Sequence, residues 1–165
     1  VSNGNPGDWL PELLRLDDCE NNWELYLEAV YQAFVEDFVD SKPTYTEKKF
    51  ALKRYPITDG KECTFWHLIS EGANEEERLP DLRRCERIKW PRPMIESIQS
   101  GNLCVWRNKR GRENRILIAS SDFSYVVVLA DRSDYVLLWT AYCVEKNHSR
   151  RKMESEYSRW KNGEA

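Results

Sequence analysis

The chain contains no apolar run approaching the length of a membrane span. Its opening, Val1-Ser2-Asn3-Gly4-Asn5, lacks the apolar core of a signal peptide. A soluble, cytoplasmic protein is therefore the expectation, with no membrane partner. Close cysteine pairs are also missing. Cys19, Cys63, Cys85, Cys104 and Cys143 stand far apart, without the C-x-x-C spacing that structural zinc or thioredoxin-like chemistry requires. Reduced, mostly buried thiols are expected, and neither a metal site nor a cofactor is. No Gly-rich or acidic nucleotide-binding signature supports an ADP-ribosyltransferase. No repeat, low-complexity tract or linker divides the 165 residues. They read as one domain, with residues 1–21 an N-terminal extension and 22–160 the folded body.

What is abundant is aromatic: seven Trp, eight Tyr and five Phe supply bulk for a core. Charge is unevenly divided. The net charge of -3 splits into -9 over residues 1–40, where Arg15 is the only cation, and +6 over the remainder. A basic body behind an acidic first element can present a phosphate-attracting face despite a pI of 5.6.

Hydropathy patterning implies an α+β fold: an N-terminal helix packed on an antiparallel β-sheet, with a short helical insertion and a C-terminal helix. Trp23, Leu27, Val30, Tyr31, Phe34 and Phe38 fall at helical spacing, which predicts a helix over 22–40. Trp9 to Leu16 reads as one or two helical turns. Strands are expected at 44–55, 62–69, 103–106, 115–119, 125–130 and 134–142. Between them, 79–88 and 94–99 read as short helices, separated by Trp90-Pro91-Arg92-Pro93, and 149–160 closes the chain as a helix with a Met153, Tyr157, Trp160 stripe. In the last strand, alternation places Leu138, Thr140 and Tyr142 on one face and Trp139 and Ala141 on the other.

Three features carry chemistry. His67 lies inside the run Thr64-Phe65-Trp66-His67-Leu68-Ile69, near the end of the expected strand, and imidazole titrates near neutrality. Arg83, Arg84, Arg87 and Lys89 form a cation cluster able to grip phosphate. Thr140 and Tyr142 come late in the last strand. A proton acceptor, fixed cations and a hydroxyl suffice in principle to cleave RNA without a metal. The alternative for His67 is an ordinary core histidine, and for each arginine a surface ion pair. The segment Arg107, Lys109, Arg110 and Arg112, flanked by Trp106 and Arg115, combines cations with a ring, a pairing suited to single-stranded RNA.

The succession of an N-terminal helix, Asp59-Gly60, Phe65-Trp66-His67-Leu68, Asp81-Leu82-Arg83-Arg84 and Trp139-Thr140-Ala141-Tyr142 resembles the phage-type branch of the barnase, EndoU, colicin and RelE-like nuclease superfamily. The resemblance implies a helix packed on a four-stranded antiparallel sheet and a metal-independent ribonuclease site. His67, Arg84 and Thr140 would stand first in it, with Arg83, Arg87 and Tyr142 behind them. It implies an endoribonuclease of the toxin or phage-defence kind, with RNA as substrate and an antitoxin or immunity protein as partner. The chain departs from the EndoU pattern in lacking a second well-placed histidine. The alternative is a non-catalytic module of the same fold that binds nucleic acid or protein.

Overall fold

The computed structural model describes residues 9–72 and 74–163, so the polar opening residues 1–8 lie outside the described residues. In chain order the elements are helix α1 (Trp23–Phe34), strand β1 (Lys49–Ala51), helix α2 (Cys63–Ile69), strands β2 (Ser70–Glu71) and β3 (Leu79–Pro80), and helices α3 (Leu82–Glu86) and α4 (Pro91–Glu96). Strands β4 (Leu103–Arg110), β5 (Glu113–Ser120), β6 (Tyr125–Asp131) and β7 (Tyr135–Cys143) follow, and then helix α5 (Asn147–Lys161). The fold is α+β. No helix among the described residues is long and apolar enough to cross a membrane.

The α1 periodicity holds, with its buried stripe running through Tyr26, Val30, Ala33 and Phe34 while Trp23 stays 39% exposed. The Asn22 side chain caps its start by accepting from Leu25 N–H at 3.2 Å. From Val35 to Val39 the helix widens into a π segment, and this turn carries Phe38 into the core beside Phe34 and Phe50. The stretch expected to be helical from Trp9 to Leu16 instead forms no helix before Leu16 and is clamped to the body. The Tyr26 hydroxyl donates to the Leu14 carbonyl at 2.7 Å, and the Trp90 indole N–H to the Pro11 carbonyl at 2.8 Å. A single 3₁₀ turn follows at Leu16–Cys19.

The principal sheet has the order β1-β7-β6-β5-β4, and the four strands from β4 to β7 form an antiparallel meander. The expected strand over 44–55 shrinks to the three residues of β1, which runs parallel to β7. Strands β4 and β5 extend further than their apolar residues indicate. They meet in a two-residue hairpin at Gly111-Arg112, where Gly111 has φ +63°, a conformation glycine takes without a Cβ penalty. Helix α4 starts directly at Pro91, a residue well tolerated in a first turn because its missing N–H has no partner to lose.

The sheet separates two apolar clusters. Ile116, Ile118, Val127, Leu129, Val136 and Leu138 meet α1 and α2 on one face. Trp106, Leu117, Val126 and Val128 meet Met153 and Tyr157 of α5 on the other, while Trp160 at the end of the expected stripe is 37% exposed. Alternation in β7 breaks at a bulge. Leu138 pairs with Leu129 and Thr140 with Val128, which leaves Trp139 as an extra residue. Ala141, not Thr140, therefore joins Leu138 on the large core, and Thr140 and Tyr142 turn to the α5 side. This overturns the parity expected for the strand, because one inserted residue exchanges the faces of everything beyond it.

Asp131, the last residue of the central strand β6, ties one end of the sheet. It accepts from Lys48 Nζ at 2.9 Å, Arg107 Nη1 at 2.5 Å and Ser133 N–H at 3.0 Å. Partial burial opposes its ionisation, but hydrogen bonds from Arg107, Lys48 and the Ser133 backbone outweigh this and hold its carboxyl down at about 2. With the folded value below the unfolded one, this stabilisation is present above about pH 4 and disappears as pH falls through about 2. Both cations are partly in solvent, so the contribution is on the order of 1 kcal/mol. Asp131→Asn is expected to lower unfolding free energy at pH 7 by about that amount and to flatten its fall from pH 4 to pH 2, as read by denaturant titration.

Candidate functional site

The segment carrying His67, expected as a strand, is helix α2. Its continuous apolar run also fits a short buried helix, with Phe65, Leu68 and Ile69 at i, i+3 and i+4 facing the large core. Both ends are secured from outside the helix. At the start, Cys63 N–H donates to the Arg54 carbonyl at 3.0 Å and Thr64 N–H to the Lys53 carbonyl at 2.9 Å. The Thr64 hydroxyl also accepts from Lys53 N–H at 2.7 Å.

At the far end three side chains converge on carbonyls that the helix cannot satisfy itself. The His67 carbonyl accepts from the Thr140 hydroxyl at 3.0 Å, Arg84 Nη1 at 3.3 Å and Arg78 Nη2 at 3.4 Å. The Ser70 carbonyl accepts from Arg84 Nη1 at 2.7 Å and Arg78 Nη2 at 2.5 Å. Arg84 Nη1 donates also to Thr140 Oγ1 at 3.2 Å, and its guanidinium lies 5.4 Å from the Tyr142 ring centre. Cations are favoured here by the negative end of the helix dipole. The Arg78 approach depends on Gly72, whose φ is +139° and where a Cβ would stand 3.1 Å from the Arg78 Cα.

These residues enclose one side of a cavity of about 200 Å³ lined by His67, Gly72, Arg78, Arg84, Arg110, Arg115, Val128, Trp139, Thr140 and Tyr142. Four arginines share it, and no carboxylate stands among the described residues that line it. Nor does any ion pair among the described residues neutralise Arg78, Arg84, Arg110 or Arg115. The Nε atoms of Arg78 and Arg84 are buried without a hydrogen-bond partner. Burial, and then the neighbouring Arg78, push the Arg84 pKa down; burial, and then Arg110, do the same to Arg115. Clustered cations with unmet donor capacity are the chemistry of an anion site. No protein-family model, curated protein or solved structure matches this chain.

The basic stretch Arg107 to Arg112 is divided between the two faces of the sheet, because β4 continues through Arg110. Arg110 and Arg115 line the cavity. Arg107 is held by Asp131, and Lys109 shares its side of β4. Arg112 is exposed in the hairpin turn. Arg115 is aimed by a chain of hydrogen bonds from α5: Glu156 accepts from Asn108 Nδ2 at 3.0 Å, and Asn108 Oδ1 accepts from Arg115 Nε at 2.9 Å. Trp106 is fully buried beneath α5, with its indole N–H donated to Glu156 at 3.1 Å, so its ring is closed to a stacking base.

Arg83 and Arg87 stand apart from the cavity. Arg83 is ion-paired with Glu145, and Arg87 lies over the Trp90 ring at 5.1 Å beside Glu86. His148 sits exposed in the first turn of α5. His67 is 8% exposed, with Nε2 at 3.6 Å from Cys63 Sγ and its ring edge-on to Trp139 at 5.2 Å. Arg78 and Trp139 were not singled out by sequence reasoning. Arg78 occupies a polar loop with no periodic signal, and Trp139 reaches this face only through the bulge. Among the described residues no group of three or more His, Cys, Asp or Glu side chains forms a metal-ligand set.

Proposed function

We propose that the arginine-lined cavity binds a phosphodiester of single-stranded RNA and that the protein is a metal-independent endoribonuclease. The reading is carried by one observation: His67, Arg84, Thr140 and Tyr142, from three separate segments, line a single cavity whose only charged companions among the described residues are arginines. In the reaction, His67 takes the proton of the 2′-hydroxyl as O2′ bonds to phosphorus. The P–O5′ bond breaks, water protonates the departing 5′-oxygen, and a 2′,3′-cyclic phosphate remains. Arg84 and Arg78 meet the charge that gathers on the phosphorane oxygens. Thr140 positions, since its hydroxyl proton is committed to the His67 carbonyl. Such an activity suits a toxin or phage-defence effector held in check by an antitoxin or immunity protein, consistent with the nuclease resemblance of the motifs.

The test is incubation of the purified protein with total RNA in EDTA. New 2′,3′-cyclic phosphate ends are the expected result, and intact RNA would refute the catalytic reading. A second reading, a non-catalytic RNA binder on the same surface, is favoured by the slight exposure of His67 and by the structural use of the Thr140 hydroxyl.

Binding is common to both readings and has its own measurement. Replacing Arg110 and Arg115 together with glutamine should lower the slope of log affinity against log salt by about 1.4, since each phosphate contact to a single strand contributes about 0.7. Lys109→Gln, on the other face of β4, should leave the slope unchanged. Equal effects from the two changes would show that the cavity is not the binding surface.

A further inference from the structure

Beside the arginine-lined cavity lies a second one, of about 270 Å³, lined by Arg110, Glu113, Arg115, Ala130 and Trp139. Arg110, Arg115 and Trp139 line both. The β7 bulge puts Trp139 there, and Ala130, which pairs with Arg115 across β6 and β5, leaves open a space that a larger residue at that position would occupy. Glu113 is held at the outer end by Arg132 at 2.5 Å. The resulting slot has an aromatic wall, a small apolar residue and two guanidinium groups, which stack on flat π systems as readily as they grip anions.

We infer that this second cavity is a nucleobase-stacking subsite, with Trp139 as its platform, for a nucleotide whose phosphate occupies the arginine-lined cavity next to it. The inference rests on the RNA reading above and adds what that reading leaves open: which surface holds the base. A phosphate site alone would bind any polyanion. The shared wall of Trp139, Arg110 and Arg115 allows one nucleotide to place charge on one side and its ring on the other. Because every base has a π face, stacking of this kind tolerates sequence and distinguishes nucleic acid from simple polyphosphate.

The experiment compares the full chain binding a short labelled RNA and a ribose-phosphate oligomer of equal length without bases, at one salt concentration. The expected result is tighter binding of the RNA, by roughly 5- to 150-fold for one stacked base. Trp139→Leu should abolish that preference, bringing the affinity for the RNA down to that for the base-free oligomer, and Trp139→Tyr should retain most of it. Should the leucine variant not fold, Ala130→Met, which fills the slot with Trp139 in place, is expected to remove the same preference. Equal binding of both polymers by the native protein would overturn the subsite while leaving the phosphate site intact. A leucine variant weakened equally toward both would also overturn it. If neither polymer bound, the RNA reading itself would fall, and the subsite with it.

Discussion

Replacing His67 with alanine is expected to slow RNA cleavage in EDTA by a factor of about 10² or more, the usual contribution of a positioned general acid or base. The side chain is largely buried on α2, between Cys63 and Trp139, so its removal also opens space in the structure. His67→Gln, closer in volume, separates the two effects: it should melt close to the native protein and cleave as poorly as the alanine variant. His148→Ala should cleave normally, because that residue is exposed at the start of α5, outside the arginine-lined cavity. Full activity in the glutamine variant would leave His67 as a core histidine and the protein without its proposed base.

The second large effect is expected at Arg84. Its Nη1 alone bridges the Ser70 carbonyl, the His67 carbonyl and the Thr140 hydroxyl, and its charge sits beside three other arginines. A donor that meets charge developing in the transition state is worth about 10² to 10³ in rate. Arg84→Gln should therefore lower kcat on that scale while changing RNA affinity by less than about tenfold, since the remaining arginines still hold the ground-state phosphate. The same residue caps α2, so a fall in melting temperature is expected as well. The purely structural alternative predicts an activity loss that follows the unfolded fraction and recovers on cooling. A kcat unchanged at a temperature where the variant is folded would confine Arg84 to its capping role.

Much of the architecture was legible because it is written in short-range patterns. The α1 and α5 stripes recur at helical spacing, and β5 to β7 are strand-length apolar runs rich in β-branched residues and bounded by polar turns, so a local window suffices. His67, Arg84, Thr140 and Tyr142 were recognisable as types of residue with suitable chemistry. Segment 62–69 was not legible as a helix. An apolar run rich in aromatic and β-branched residues suits either state, and what decides is the pairing of its first N–H groups with Lys53 and Arg54 and of its last carbonyls with Arg78, Arg84 and Thr140. The cation cluster at 83–87 was also divided by context: Arg84 turns into the cavity while Arg83 takes Glu145 and Arg87 takes Trp90.

By itself, then, the sequence determined the fold class, the order and approximate extent of its strongly periodic elements, and the presence of an imidazole and an excess of cations beyond residue 40. Those are properties of composition and of neighbours within a few positions. The tertiary structure alone decided which cations share a space. It carries Arg78 inward from a loop, splits Arg107 and Lys109 from Arg110 and Arg115 by strand alternation, and uses one bulge residue to bring Trp139, Thr140 and Tyr142 to the same side. The reason is that side-chain direction in a sheet depends on register, and register is set by long-range pairing and by single insertions that leave no local signature.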